Sequence, residues 1–398
     1  MIDFNEETAM PSTGKAERPA WHTADYPELR TGPPWVTEEM VASQPALVAP
    51  MLANPGVTTL AQLILDVDES GEPIVVTGCG TSEHGAMAVA ELLDAALRQR
   101  GARGGRVEAR QALEAALDPR LGGLCLAITE SGGTRATNLA LEAARETGAA
   151  TAAITANPDG AAAATVDVAL LTPARDKAWC HTVAYTSAIL AGAALAAEIA
   201  EVDLDPSEIS AWLAQALTPS KAEREIAQSL ADVSVLHIVG SGADRVTARE
   251  LALKIEEGAR RPAVARDLET LLHGHFVACG PATGLIAILT DGRAGDRRWR
   301  RAAQGMEAAL RLDMPVAAIL SRDAAQVLPP ALTSAGRLVL PLGDDPLPPL
   351  RSLLAGAAAL QRLTLALVAE AGVNPDLIRR EETPYREAAA LVEDRPDW

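Results

Sequence analysis

Two turns rich in Gly, Ser and Thr are the parts of this sequence with the clearest potential for chemistry. One lies in VVTGCGTSEHGAMAVAELL, residues 75–93, and the other in LCLAITESGGTRATNLALEAARETGA, residues 124–149. Each follows a short apolar run and leads directly into a helical pattern. Backbone N–H groups at a helix N-terminus, helped by the hydroxyls of Thr129, Ser131 and Thr134, can hold an anion without a lysine. The two turns together predict one anionic or polyhydroxylated ligand.

A simpler interpretation is that these hydroxyls only cap the helix that begins at Thr134. A nucleotide is not indicated, because Gly78-Cys79-Gly80 lacks the third glycine of a dinucleotide fingerprint and no Gly-Lys-Ser/Thr motif follows. The occurrence of two such turns in one unit favours the ligand.

Strand-like and helix-like runs alternate from Ile74 onward, and they must position these turns. PIVVTG and LCLAIT precede helical patterns over 83–99 and 134–147, and AATAAIT and VDVALLT are further apolar runs before a long Ala-rich helix. Continuous apolar strands that alternate with helices are typical of a parallel sheet covered on both faces. Such sheets bind ligands beyond the carboxyl ends of their strands, where both turns fall. The sequence therefore predicts an α/β fold.

The same pattern recurs in the second half of the chain. VLHIVGSGADRVTARELALKIEEGA (235–259) repeats the first turn at an offset of 162 residues, and LIAILT (285–290) repeats LCLAIT at an offset of 161. PVAAIL and GRLVLPL echo the next two strands. An internal duplication explains this pattern and predicts two units, each a mostly parallel sheet with helices on both faces, joined near 201–222. The second copy has Asp291-Gly292-Arg293 instead of the hydroxyl cluster, which favours one anion site, in the first copy.

The predicted organisation has four parts. They are an N-terminal arm and helix (1–56), a first α/β domain (57–205), a second α/β domain (222–370) and a C-terminal tail (371–398). The first 35 residues are polar and interrupted by prolines, which is typical of an extended arm.

Composition excludes several classes of partner. A net charge of −18 over 398 residues would repel nucleic acid. No apolar segment is predicted to reach the roughly 20 residues needed to span a bilayer, and the Ala-rich run over 182–200, which contains Tyr, Ser and Thr, is interpreted as a buried helix. No signal peptide is visible, so we expect a cytoplasmic protein without a membrane partner. The four cysteines and six histidines show no metal-ligand spacing, so no metal or other cofactor is predicted.

Several motifs, in order along residues 40–385, resemble the tandem SIS (sugar isomerase) domain family, as in the isomerase half of glucosamine-6-phosphate synthase. GCGTSEHGA resembles the family's first sugar-binding turn, and TESGGT its phosphate loop. ELALKIEEGARRPAVARDLETLLHGH (250–275) resembles its catalytic helix and His-Gly segment, and VNPDLIRR the start of its tail. The resemblance implies two SIS units in a homodimer. It also implies that the sugar is bound by Cys79, Gly80, Thr81, Ser82, Thr129, Glu130, Ser131, Thr134, Trp179, Cys180, His181 and Thr182.

The resemblance further implies two catalytic residues. Glu257 occupies the position of the general base that moves a proton between C1 and C2 of an open-chain sugar, and His273 that of the residue that opens the ring. A partly desolvated carboxylate and a histidine suit these two steps. Taken alone, Glu257 could be a solvated acid on a helix surface and His273 a packed histidine. Lys254 could pair with Glu250 at i,i+4 or tune Glu257.

The sequence departs from the family pattern in three places. Glu130 stands where the phosphate loop usually has Gln, and an acid there is unfavourable unless it is paired, for which Arg135 is a candidate. No lysine follows Lys254, so the tail cannot form a Schiff base, and HGH replaces the usual His-Gly-Pro. The loop over 179–182 is also bulkier than in the family, because it contains Trp179. This side chain could stack on a sugar or belong to the core.

The predicted function is aldose–ketose isomerisation of a phosphorylated or similarly anionic sugar. A variant in the same pocket would be an amino-sugar-phosphate deaminase or a fructosamine-phosphate deglycase. The alternative of another class is a non-catalytic sugar-phosphate sensor, which would not need both Glu257 and His273.

Overall fold

The computed structural model describes residues 19–101 and 106–393. Residues 1–18 of the predicted arm and residues 394–398 of the predicted tail lie outside the described residues.

The ten strands found in the described residues form two parallel sheets. Their bounds are β1 Ile74–Gly78, β2 Val107–Gln111, β3 Leu124–Thr129, β4 Ala150–Thr155, β5 Val168–Leu171, β6 Val235–Gly240, β7 Ala263–Asp267, β8 Thr283–Leu289, β9 Val316–Ser321 and β10 Gly336–Leu340. The first sheet has the order β2-β1-β3-β4-β5, and the second the order β10-β9-β8-β6-β7. Seen from its β7 edge, the second sheet therefore repeats the strand order of the first. The predicted α/β fold with two such units is confirmed.

Helices cover both faces of these sheets. Within the described ranges they are α1 Val36–Ser43, α2 Val48–Leu52, α3 Gly56–Ser70, α4 Thr81–Gln99, α5 Ala112–Leu117, α6 Arg135–Glu146, α7 Ala161–Thr165, α8 Val183–Ala200, α9 Pro206–Ala216, α10 Lys221–Ser229, α11 Asp244–Lys254, α12 Leu268–Leu272, α13 Arg297–Arg311, α14 Arg322–Val327, α15 Leu350–Ala371 and α16 Thr383–Glu393. A π-helical turn, Ile255–Ala259, continues α11.

Two edge strands, β2 and β7, were not predicted. Their sequences, VEARQ and AVARD, carry charged residues, and most of their side chains are only partly buried. An edge strand pairs on one side only, so the continuous apolar run that identifies a central strand is not required.

The two units share one hydrophobic core. The largest apolar cluster includes Val89 and Ile189 from the first unit and Leu251 and Leu360 from the second. α4 packs closely against α8, since a Cβ added at Gly85 would lie 2.9 Å from the Ala188 Cβ. This packing fixes the N-terminus of α4, which carries the first glycine-rich turn.

Two core helices contradict the expectation about apolar segments. By length and composition, Val183–Ala200 and Leu350–Ala371 could cross a membrane, and the bent pair Val36–Leu52 and Gly56–Ser70 could form a third span in the described chain. In both single helices, 83% of the 18-residue apolar window is buried inside the protein. The expectation was wrong because a helix surrounded by protein on all sides is apolar all round, as a membrane span is.

Candidate active site

The first turn brings the start of α4 to the carboxyl end of β1. A Cβ on Gly78 would lie 2.6 Å from the Ser82 backbone, so this close approach requires glycine. Gly80 has a φ of +57°, in the left-handed region that glycine adopts readily. Thr81, the first residue of α4, is buried, and Cys79 Sγ lies 3.8 Å from Thr137 Oγ1 on α6. The first turn and the helix after the second turn are therefore neighbours.

The second turn, residues 129–134, is held partly by its own hydroxyls. Thr129 Oγ1 accepts a hydrogen bond from Gly132 N (3.2 Å), and Ser131 Oγ accepts one from Gly133 N (3.2 Å). Accepting these bonds leaves each hydroxyl hydrogen available as a donor. Thr134 precedes α6, but its side chain makes no capping hydrogen bond to the described residues. Thus the interpretation of Thr134 as a side-chain cap is not supported by this geometry.

The acid in this turn is paired with an arginine from another loop. The buried Glu130 carboxylate accepts a hydrogen bond from Arg175 Nε at 3.1 Å. Arg175 lies in the segment between β5 and α8, 45 residues away in sequence. The charge of Arg175 therefore compensates the acid inside the turn.

A buried lysine connects the first turn to the second unit. Lys254 Nζ donates hydrogen bonds to Thr81 Oγ1 (2.8 Å) and to Glu257 Oε2 (2.5 Å), and it lies 3.5 Å from Glu250 Oε1. Lys254 and Glu250 are both buried on α11, whereas the Glu257 side chain, on the π-helical turn, is 23% exposed. Lys254 therefore contacts both acids that the sequence suggested, Glu250 as an i,i+4 pair and Glu257 as the candidate base. The contact with Glu257 is the shorter one.

Two further residues complete this cluster, and sequence reasoning gave neither a functional role. Glu250 Oε2 is bonded to His84 Nδ1 at 2.7 Å, and Glu250 Oε1 accepts from Thr81 Oγ1 at 3.3 Å. His84 lies in the GCGTSEHGA motif, one turn of α4 after Gly80. The prediction for this motif rested on its glycines and hydroxyls. A contact between residues 166 positions apart leaves no periodic pattern in the sequence, so the role of His84 was missed.

Charge compensation keeps Lys254 and Glu250 ionised. Burial alone would lower the pKa of Lys254, but the carboxylates of Glu257 and Glu250 outweigh it and raise that pKa above its ordinary value. Burial favours a neutral Glu250, but the Lys254 charge and the His84 bond hold the pKa of Glu250 below its usual range. Lys254 is accordingly an ammonium ion rather than a nucleophilic amine.

The loop over residues 179–182 lies against this cluster. Cys180 is fully buried, and burial raises the pKa of its thiol, with the charges of Lys254, Glu257 and Glu250 acting on it as well. His181 Nε2 lies 3.0 Å from the Tyr26 hydroxyl. The loop leads into α8, whose first backbone N–H groups, from Thr182 to Ala184, donate to the buried Asp176 carboxylate.

Trp179 is covered by the tail rather than by the core. The Arg380 guanidinium stacks on the indole, 3.8 Å from its centroid, and Tyr26 meets the same ring edge-on. The indole is partly exposed and packs against Arg380 and Tyr26, so its position matches neither a core residue nor a ring that is open to stack on a sugar. Within the described chain, Trp179 Nε1 and Thr182 Oγ1 are buried without a hydrogen-bond partner. Buried polar atoms of this kind usually have partners, and here two of them belong to the loop predicted to line the sugar.

Comparison with known proteins finds a family match in the first unit. A family model described as SIS domain matches residues 70–197. Over these residues the chain is similar to a SIS domain. The matched range holds both turns and the loop over 179–182, whereas Glu257 and His273 lie outside it.

Known relatives extend the likeness to both units. Glutamine–fructose-6-phosphate aminotransferase [isomerizing] from Pyrococcus horikoshii is 28% identical over 255 residues, which cover 60% of this chain and 40% of the relative. The match thus spans two fifths of the length of that curated relative.

Two solved structures have the same fold. The C-terminal domain of glucosamine-fructose-6-phosphate aminotransferase from Francisella tularensis gives a TM-score of 0.71 at 18% identity, covering 86% of this chain and 97% of the other. Tagatose-6-phosphate ketose/aldose isomerase from Escherichia coli gives 0.68 at 19% identity, covering 86% and 95%.

His273 is exposed and bonded to its own helix instead of to the candidate site. Its side chain is 74% exposed and hydrogen-bonds Glu269 Oε2 at 3.0 Å, one turn earlier on α12. Glu269 is in turn held by Arg301. Among residues 19–101 and 106–393, no hydrogen bond or ion pair links His273 to Glu257 or to the two turns. His273 is not the packed histidine of the simpler interpretation either.

The second unit fills the corresponding strand end with its own carboxylate. The buried Asp291 side chain accepts from Ala243 N at 3.0 Å and pairs with Arg293 and Arg298, each at 2.9 Å. Asp291 therefore occupies the place at the turn before α11 where the first unit leaves hydroxyls and N–H groups open. This arrangement agrees with a single anion site.

Metal ligands are not assembled in the part of the chain that the structure describes. No group of three or more His, Cys, Asp or Glu side chains there could hold a metal ion.

Proposed function

We propose that this chain is an isomerase that interconverts the aldose and ketose forms of a phosphorylated or similarly anionic sugar. The observation that carries the proposal is the placement of Glu257. Its partly exposed carboxylate lies 2.5 Å from the buried Lys254 ammonium, which is anchored to Thr81 in the first turn. A carboxylate fixed beside a ligand-binding turn is the group that proton transfer between neighbouring carbons requires.

The proposed reaction divides between these groups. The turn over 129–134 and the N-termini of α4 and α6 bind the anion of the sugar, while Trp179 and Thr182 offer a donor and a hydroxyl to the sugar itself. Glu257 removes the proton from C2 of the open-chain aldose, which gives an enediolate, and returns it to C1, while the proton on O2 passes to O1, giving the ketose. Lys254 holds Glu257 in position throughout.

Ring opening requires a second copy of the chain in this proposal. Among the described residues, His273 is exposed and forms no hydrogen bond or ion pair with the site of its own chain, so in this proposal it acts at the site of a partner subunit. We therefore propose a homodimer in which each site combines Glu257 from one protomer with His273 from the other.

Replacement of Glu257 tests the proton transfer. Glu257→Gln keeps size and hydrogen bonding but removes the base, so isomerisation should fall by about 10²–10⁴-fold with little loss of ligand affinity. The measurement is exchange of the C2 proton in D₂O with a panel of hexose phosphates, sulfosugars and glycated amino-acid phosphates. Glu256→Gln is the matched control, because Glu256 is exposed and, among the described residues, accepts only from Ala263 N at 3.3 Å. Absence of exchange in the unaltered protein would indicate a sensor, and equal exchange in Glu257→Gln would assign the base elsewhere.

Complementation tests the shared site. His273→Asn should act most strongly on cyclic substrates, with His275→Asn as the neighbouring control. Co-expressed Glu257→Gln and His273→Asn chains should regain about a quarter of the unaltered activity, because half of randomly formed dimers contain one intact site of two. If mixing restores nothing, His273 is not shared between protomers.

A further inference from the structure

Besides Glu250, the buried cluster contains a second ionisable residue that the proposed reaction does not use, namely His84. Its side chain is largely buried at the start of α4, and its Nδ1 lies 2.7 Å from Glu250 Oε2. Glu250 in turn shares Lys254 with Glu257. Two carboxylates therefore compete for one ammonium ion.

The distances show which carboxylate holds the ammonium. Lys254 Nζ is 2.5 Å from Glu257 but 3.5 Å from Glu250, although Glu250 is completely buried and has the greater need of a donor. Glu250 tolerates the longer contact because it has other donors, His84 at 2.7 Å and the Thr81 hydroxyl at 3.3 Å. The bond from His84 is the shorter of these two.

We infer that His84 is a positioning residue, which binds Glu250 and so leaves Lys254 directed at Glu257. Without this donor, Glu250 would be a buried carboxylate with only Lys254 and Thr81 as partners. Lys254 would then move toward Glu250 and away from Glu257, since a buried charge draws in the nearest available donor. The inference relies on the proposed function for its kinetic consequence, but not for the position of Lys254.

The variant pair His84→Leu and His84→Asn separates the hydrogen bond from packing. Leucine fills space without donating, whereas the asparagine amide reaches about as far as the imidazole Nδ1 and can donate to Glu250. Glu83→Gln is the matched control on the same turn of α4, because Glu83 faces Arg249 at 4.0 Å instead of the cluster.

The direct measurement is the lysine ammonium signal in a selective ¹H–¹⁵N NMR spectrum without substrate. The chain has four lysines, and Lys254 is the buried one among the three that lie in the described residues. Its signal should shift in His84→Leu and stay near the unaltered position in His84→Asn and Glu83→Gln. An unshifted signal in folded His84→Leu would overturn the inference. If His84→Leu does not fold, His84→Ala takes its place in the comparison.

Kinetics give the second measurement. His84→Leu should lower kcat by up to about 10²-fold with KM changed only a few-fold, because misplacing a catalytic group affects the reaction more than binding. His84→Asn should recover most of kcat, and equal losses in both variants would overturn the inference. A shifted lysine signal in His84→Leu, together with no C2 exchange in the unaltered protein, would support the role of His84 while refuting the isomerase.

Discussion

At the scale of single residues, the site depends on charges that are buried and compensated. Lys254 is inside the protein yet remains an ammonium ion, since Glu257 and Glu250 offset the loss of hydration. Glu130 is neutralised in the same way by Arg175. This pairing removes the main objection to an anion at the second turn, namely an uncompensated acid within it. Because Arg175 offsets the charge of Glu130, the hydroxyls and N–H groups of the second turn determine which ligand binds there.

Anion binding should depend on the hydroxyls of the second turn. Ser131→Ala with Thr134→Ala should weaken the binding of an anionic sugar about tenfold or more per lost hydroxyl, because hydrogen bonds to charged groups are among the stronger ones. Calorimetric titration measures the affinity. Thr134 makes no capping bond to the described residues, so its removal should leave the fold intact. Ser70→Ala, which removes a hydroxyl bonded to the Val67 carbonyl, is the control. Unchanged affinity in the folded double variant would exclude this turn as the anion site.

At the scale of secondary-structure elements, two buried carboxylates hold the site together by capping helices. Asp176 binds the first N–H groups of α8. Asp376, from the tail, accepts from Val36 N and Thr37 N at 2.9 Å each and from Thr37 Oγ1 at 2.7 Å. The Asp376 carbonyl also accepts from Trp179 N at 3.0 Å. One residue thus joins α1, the tail and the loop over 179–182.

Removal of this tail carboxylate should destabilise the protein strongly. Asp376→Ala leaves three buried donors without their acceptor and should lower the free energy of unfolding by about 2–4 kcal/mol, measured by urea denaturation. Asp205→Ala provides the comparison, because Asp205 caps α9 at an exposed site and should cost only about 1 kcal/mol. Equal costs for the two variants would contradict a joining role for Asp376.

At the scale of the whole molecule, the two units have the same strand order but different strand ends. The first unit leaves its turns open, and the second closes its own with Asp291, held by Arg293 and Arg298. Arg293 also pairs with Glu91 on α4 at 2.9 Å, so the closed turn is tied to the first unit. The second unit also supports the first through Glu250 and Lys254 of α11, which bond to His84 and Thr81.

The closed turn should make stability depend on pH through Asp244. Burial raises the pKa of Asp244 from 3.8 to about 7, despite hydrogen bonds from Thr290 and Asp291 N. Because the folded state then binds this proton more tightly than the unfolded chain, the contribution of Asp244 to stability decreases as pH rises from about 4 to 7. In the unaltered protein, this loss of free energy of unfolding between about pH 4 and 7 should be on the order of 1 kcal/mol or more. The Asp244→Asn variant should not show it.

The measurement is urea denaturation at several pH values between 4 and 7.5. Asp296→Asn is the control, because Asp296 is exposed and pairs with Arg300. The pH dependence from Asp291 has the opposite sign, since its arginine partners outweigh burial and lower its pKa to about 2, so its effect appears only below pH 4. Parallel profiles for Asp244→Asn and the unaltered protein would contradict the assignment to Asp244.

Local sequence was enough to determine the two α/β units and the position of the two turns. The apolar runs at 74–78, 124–129 and 150–155 correspond to central strands, because a strand covered on both faces must be apolar throughout. Gly78 and Gly80 mark the first turn for a similarly local reason, the close approach and the left-handed backbone that other residues rarely accept.

Only the tertiary structure decided the partners. Arg175 pairs with Glu130, His84 bonds to Glu250, and His273 lies exposed at the C-terminal end of α12, with no hydrogen bond to Glu257 among the described residues. The polar edge strands β2 and β7 were likewise missed. Strands and turns follow from residues within a few positions of one another, which leave a periodic pattern in the sequence. Contacts across 45 or 166 residues depend on how whole helices and sheets pack, and no local pattern records that packing.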